Sequence, residues 1–241
     1  FIAQRSYLWL FVLDAIASTI TASIVYVAIS ETKPAPRPVE QGRESTPHRE
    51  ESLLQTIGGY NVVLRDGLFV AFWVASLLMV LAYMQMNSIL SVYLRDVHGI
   101  PAQGYGWLLT LNASMVVLFQ FPITRRITKY RPMSVMVVGT LFYAVGFGMY
   151  GFVSVYVFFL LAMVIITLGE MLVTPVSQAI VARLAPEDMR GRYMATYGFS
   201  WVIPSAIGPL LAGLTMDYID PRWVWYAAGL LGVIAAGAYY Y

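Results

Sequence analysis

Glu170 stands alone among apolar neighbours in Leu168-Gly169-Glu170-Met171-Leu172, about midway along a stretch of almost unbroken hydrophobic letters. A carboxylate in such surroundings is costly to keep and is retained where something uses it or satisfies it. Three roles fit: a site that binds and releases protons, a site for a cationic substrate, or a neutral acid hydrogen-bonded for structure. Asp14, in Leu13-Asp14-Ala15, is a second acid of this kind, a further proton-coupling candidate. Ser18 and Ala22 follow it at helical spacing, and a face so small and polar can pack on a neighbouring helix and satisfy the acid, so the structural role is the preferred one there. No Lys or Arg falls in the middle of any apolar stretch, so an ion-pair partner for either acid has to come from elsewhere.

Side-chain amides form the next set of candidates: Gln85 and Asn87 in Tyr83-Met84-Gln85-Met86-Asn87-Ser88, and Asn112 and Gln120 further on. Amides at such positions either bond between helices or face a wet cavity that holds substrate, and Gln85 and Asn112 are the leading cavity candidates. Met79, Met86 and Met115 can supply an adaptable apolar wall beside them, or simply fill space. Pro175 and Pro204, each inside an apolar stretch, remove a backbone hydrogen bond and kink the chain one turn upstream, as a gate or as a static bend.

Lipid is the solvent that makes sense of these groups. The 241 residues are 59% hydrophobic and only 12% charged, with a mean hydropathy of +0.68. Seven stretches are long and apolar enough to cross a bilayer, at about 20 residues each. They run near Tyr7 to Ser30, Gly67 to Leu94, Gly104 to Ile127, Met133 to Phe152, Ser154 to Ala182, Tyr193 to Tyr218 and Trp223 to Tyr240. Runs this long and uniform predict helices, an all-α polytopic membrane protein, rather than barrel strands. Ala144 and Gly148, Gly208 and Ala212, and Ala228, Gly232 and Ala236 form small-xxx-small faces suited to close helix packing.

Residues 31–66 change character, with Lys33, Pro34, Pro36, Arg37 and Pro38 leading into a polar run, and read as a soluble linker. Near its end Leu53, Leu54, Ile57 and Tyr60 recur at helical spacing, which permits a short amphipathic helix. The linker and the loops after the third and fifth spans hold twelve of the 15 basic residues, leaving Arg5, Arg95 and Arg222 on the other side. The positive-inside rule therefore places the linker in the cytoplasm.

Enzymatic chemistry finds little purchase. With no cysteine, His48 and His98 apart in polar segments, and no nucleophile beside a base, neither an enzyme nor a metal or cofactor site is expected. A net charge of +2 gives no reason to expect a nucleic-acid partner. A seven-helix receptor or retinal protein shares the topology, but the last span has no lysine for a Schiff base and the loops have no cysteines.

Several segments resemble the major facilitator superfamily, whose members join two six-helix halves by a cytoplasmic linker. Gln120-Phe121-Pro122-Ile123 followed by Arg125-Arg126 and Lys129-Tyr130-Arg131-Pro132 is similar to the family's basic loop motif, without its usual Gly and Asp. Gly169-Glu170 with Pro175, then Arg190-Gly191-Arg192-Tyr193-Met194, is similar to the region from helix ten to helix eleven of proton-driven drug exporters and peptide carriers. Gly208-Pro209 with Gly213 and Asp217 is similar to helix eleven of drug exporters. The resemblance implies that residues 1–30 are the family's sixth helix, 31–66 its central linker and 67–241 its C-terminal six-helix bundle, so that the seven spans correspond to helices 6 to 12. The five preceding helices of the N-terminal half are then expected as a partner, the more so because the chain has no initiator Met and stops inside an apolar run.

It further implies alternating access around a cavity lined by the second, third, fifth and sixth spans. Glu170, Gln85, Asn87, Asn112, Gln120, Met86 and Met115 would then serve protons and substrate, and Asp14 would sit on a peripheral helix. Arg125, Arg126, Arg190 and Arg192 would latch the cytoplasmic side, although positive-inside topology explains them equally well. The function expected is proton-coupled antiport that exports amphipathic small molecules across a plasma (inner) membrane, with uptake of peptides or other polar solutes as the alternative.

Overall fold

The computed structural model describes residues 7–28 and 53–240. Most of the expected linker, residues 31–52, lies outside the described residues, as do Arg5, Lys33, Arg37, Arg43, Arg49 and His48. Every described element is a helix. They are α1 (Tyr7–Ala28), α2 (Leu53–Arg65), α3 (Gly67–Ser88), α4 (Leu90–His98), α5 (Ala102–Ile127), α6 (Pro132–Phe152), α7 (Tyr156–Leu184), α8 (Arg190–Tyr218) and α9 (Arg222–Tyr240). Seven of these, all but α2 and α4, are long and apolar enough to cross a membrane.

The chain divides into two units, residues 1–50 and 51–241. In the first, α1 satisfies its hydroxyls along its own backbone, Thr19, Thr21 and Ser23 donating to the carbonyls of Ala15, Ala17 and Thr19. That is the usual economy of Ser and Thr on a lipid-grade helix. The Asp14 side chain on it is exposed.

In the second unit the long helices follow one another as neighbours in the order α5, α7, α6, α9, α3, α8. The middle of this series is tightly packed. On α9, a Cβ at Gly232 would come within 2.9 Å of Ala144 on α6, and one at Gly229 within 3.1 Å of Gly148. These are the small-residue faces expected from the sequence, where backbones touch because lipid offers helices no hydrophobic reason to associate. Helices α5 and α8, at the two ends of the series, bury little of themselves.

The second span departs from the sequence reading. Instead of running unbroken to Leu94, it pauses at Ile89 and resumes as α4 to His98. Ser88 just before the pause bonds back to the Met84 carbonyl at 2.9 Å, which competes with the regular ladder. Gly99, at φ 64°, then ends α4, where its N–H and that of Ile100 donate to the carbonyls of Arg95 and Leu94. At the other end of the bundle Asp66 caps α3 by accepting from the Phe69 N–H at 3.1 Å, and its second oxygen takes the Tyr193 hydroxyl of α8 at 2.9 Å. Helix α2, of the kind expected at the linker's end, rests on α3 and α8, with Gly59 directly over the Arg192 side chain.

Candidate functional site

Glu170 lies near the midpoint of α7, half-buried, where five helices bring polar or aromatic groups together. Asn112 of α5 donates one amide hydrogen to Glu170 Oε2 at 2.7 Å and reaches Thr167 Oγ1 at 3.0 Å. Tyr83 of α3 donates its hydroxyl to Glu170 Oε1 at 3.1 Å. Thr167 in turn donates to the Met163 carbonyl of its own helix at 2.8 Å, which leaves its oxygen free to accept from Asn112. The Tyr83 ring meets Tyr143, Phe147 and Trp201 edge to face, at 5.7, 6.5 and 5.8 Å. Trp201 belongs to α8, so all four helices expected to line a cavity contribute.

The charge balance of this cluster is one-sided. Every group touching the carboxyl is neutral, and the only ion pair between described residues is Arg95 with Asp96, exposed on α4. The donors nevertheless suit both charge states. An ionised Glu170 accepts from Tyr83 and Asn112 together; a protonated one can donate to the Tyr83 oxygen once that hydroxyl turns round, because a phenol both donates and accepts. The cluster can therefore hold a proton, or a cation in its place, without rebuilding.

The same chain matches the family model described as Major Facilitator Superfamily over residues 87–241. The chain belongs to the major facilitator superfamily. Among curated relatives, a Na(+), Li(+), K(+)/H(+) antiporter of Planococcus maritimus is 26% identical over 78% of this chain and 47% of its own length. An uncharacterised MFS-type transporter of Bacillus subtilis, YttB, is 32% identical over 67% of this chain and 39% of its own length. The chain thus spans about half the length, or less, of these relatives. A solved POT family transporter in complex with 5-aminolevulinic acid superposes with a TM-score of 0.63 at 14% identity, over 97% of this chain and 52% of that one. That likeness shows the fold.

Within this major facilitator bundle the remaining candidates fall into different surroundings. Gln85, a leading cavity candidate, is buried between α3 and α8 and donates to the Leu81 carbonyl at 3.0 Å and, at the edge of hydrogen-bond range, to that of Gly208 at 3.4 Å. Its amide thus makes the interhelical bond. Met86 is 2% exposed and belongs to the packed core, since its side of α3 faces the bundle. Met115 is half-buried on α5 and Asn87 is exposed on α3, one turn beyond Tyr83.

Gln120 meets Pro175 through the backbone. Proline has no N–H to offer the residue four before it, so Pro175 leaves the Met171 carbonyl without its helical partner. Gln120 of α5 donates to that carbonyl at 3.2 Å and to Thr124 Oγ1 at 2.8 Å. One amide thereby closes the gap in α7 and ties it to α5, next in sequence to Glu170. Pro204 is accompanied in α8 by Pro209, and Pro122 lies inside α5, so the helix interiors contain four prolines, Pro175 included, where the sequence reading weighed two. Arg125, Arg126 and Arg190 are exposed at the basic end, and Arg192 is half-buried beside Gly59.

Sequence reasoning missed Tyr83, Thr167 and Trp201. Thr167 had a usable signal, because it precedes Glu170 by one helical turn on the same face. Tyr83 had a weaker one, a hydroxyl in an apolar span that needs a partner. Nothing in the letters distinguishes Trp201 from other lipid-facing aromatics.

Proposed function

We propose that this chain is the C-terminal portion of a proton-coupled antiporter that exports amphipathic small molecules by alternating access, with Glu170 as the group that exchanges proton for substrate. The observation that carries the reading is a half-buried carboxyl of α7 held only by neutral donors from α3 and α5. A charge so placed lacks a counter-cation, and proton and cationic substrate can compete to supply one. Tyr83 and Asn112 hold the carboxyl in place, and the exposed Trp201 indole offers apolar and cation–π contact to an amphipathic cation. In this reading α1 is the family's sixth helix, residues 31–66 are a cytoplasmic linker in a plasma (inner) membrane, and the remaining helices complete a bundle that rocks against an N-terminal half. The bend at Pro175, closed by Gln120, and that at Pro204 serve as gating points, while Arg125, Arg126, Arg190 and Arg192 latch the cytoplasmic side. Asp14 is a structural acid.

A second reading, exchange of protons for monovalent metal cations, is favoured by one relative's printed activity and by the oxygens of Glu170, Tyr83 and Thr167, which suit hard cations. Reconstituting the full transporter in liposomes with an imposed pH gradient tests both. Wild type should accumulate substrate against its gradient; Glu170→Gln should lose accumulation while keeping downhill exchange. Gradient-driven accumulation by Glu170→Gln would refute the assignment. An organic cation or Na(+) as the accumulated species would separate the two readings, and inverted dependence on the gradient would mark uptake.

A further inference from the structure

At the basic end, α5, α7 and the start of α6 enclose a cavity of about 300 Å³ to which the transport reading assigns no ligand. Its size falls at the lower end of small-molecule sites. Ile127, Val176 and Ile180 make its walls apolar, while Thr124, Tyr130 and Arg183 supply polar groups. No carboxylate lines it. The Arg183 side chain is exposed and forms no ion pair with any described residue, and the same holds for Arg125, Arg126, Lys129 and Arg131 on the adjoining turn. An occupant that fits has an apolar chain for the walls and an anionic head for the cations.

We propose that this cavity binds one anionic phospholipid, its phosphodiester at Arg183 and the Arg125 to Arg131 turn and its acyl chain against Ile127, Val176 and Ile180. The depth agrees with this. Long cationic side chains reach from helix ends to the headgroup layer, and an aromatic such as Tyr130 favours the same boundary. Clustered basic residues beside a membrane span attract anionic lipids for the same reason. The position gives the lipid a consequence. Pro175 forms part of the cavity wall, and Thr124 accepts the Gln120 amide that closes the gap left by that proline. A lipid chain there wedges the α5–α7 seam between one and two helical turns from Glu170.

The test is lipid binding by the full chain purified in detergent, followed by native mass spectrometry, with transport not measured at all, so that its failure leaves the antiport reading untouched. Phosphatidylglycerol should be retained at least about tenfold better than phosphatidylcholine, as several basic residues near one anionic head imply. Arg183→Gln should weaken retention about fivefold, and Ala179→Trp, which fills the cavity, should abolish it, whereas Arg95→Gln at the opposite end should change nothing. Thermal unfolding of each variant checks that it is folded, and Arg183→Gln, at an exposed position, keeps the test valid if the tryptophan variant is not. Equal retention of the two lipids, or wild-type retention by Arg183→Gln, would overturn the proposal. Displacement of the lipid by soluble glycerol phosphate at similar concentration would also overturn it, marking the site as one for free phosphate esters.

Discussion

Helix α7 has two seams of opposite character. Toward α6 it is welded by close backbone approach: a Cβ at Gly169 would stand 2.7 Å from the Gly139 carbonyl oxygen, and one at Gly139 would meet Val173 and Leu172 at 2.7 and 2.9 Å. Toward α5 it is held by polar ties, Asn112 to Glu170 and Thr167, Gln120 to Met171, and Tyr156 to the Gly104 carbonyl. A glycine seam has one workable spacing and resists sliding. Individual polar ties in a membrane average about 0.6 kcal/mol and can be exchanged for water or substrate. The carboxyl therefore sits on a helix fixed on one side by close packing and held on the other by exchangeable ties, which is what the proposed alternating access asks of it.

Breaking the welded seam should have the largest effect. Gly169→Val drives branched carbon into the Gly139 backbone, and overpacking of this kind costs about 1–3 kcal/mol. The expected outcome is a marked fall in thermal stability and in folded yield from detergent, with Gly169→Ala intermediate. On the polar seam, Asn112→Leu removes both ties to α7 and should cost up to about 1.7 kcal/mol, with a shift in the pH dependence of flux that Gly169→Ala does not produce. Tyr83→Phe keeps the aromatic contacts and deletes one donor to Glu170; flux should shift in the same sense as in Asn112→Leu but less. Gln120→Leu leaves the Met171 carbonyl open and should cost about 0.6 kcal/mol; faster amide exchange just after Pro175 would register the loosened bend.

The smallest effect belongs to the end of α4. His98, which the sequence placed in a polar segment, has its ring between Tyr93 and Phe159 at 5.0 Å from each, with Nε2 buried and unpartnered. Burial, and secondarily the nearby Arg222 charge, lowers its proton affinity below the ordinary imidazole value of 6.5. The unfolded chain then binds the proton more readily, so stability is full above that value and declines as pH falls through it toward the folded value. Acidification from pH 7 to 5 should lower the melting temperature slightly, and His98→Phe should remove that slope.

Much of this fold was legible, because spanning a membrane imposes length and polarity on a helix whatever its neighbours. Seven spans and the close-packed faces at Ala144, Gly148 and Gly232 follow from that constraint, and the same constraint singles out Glu170 as a candidate. What was not legible is the direction each helix faces. In water an apolar stripe marks the buried side, but in lipid both sides are apolar, so nothing told the core position of Met86 from the half-buried position of Met115. For the same reason Gln85 and Asn112 looked alike, although one bonds α8 across a buried contact and the other reaches Glu170. The pause at Ile89 depends on a local competition at Ser88 that an apolar count does not register.

The most direct test is proton release on substrate binding, followed in weakly buffered solution with the full transporter in detergent. If Glu170 exchanges proton for substrate, wild type should release protons on adding a transported cation near neutral pH, and Glu170→Gln should bind it with none released. Equal release from the two proteins would place the coupling proton elsewhere and contradict the account.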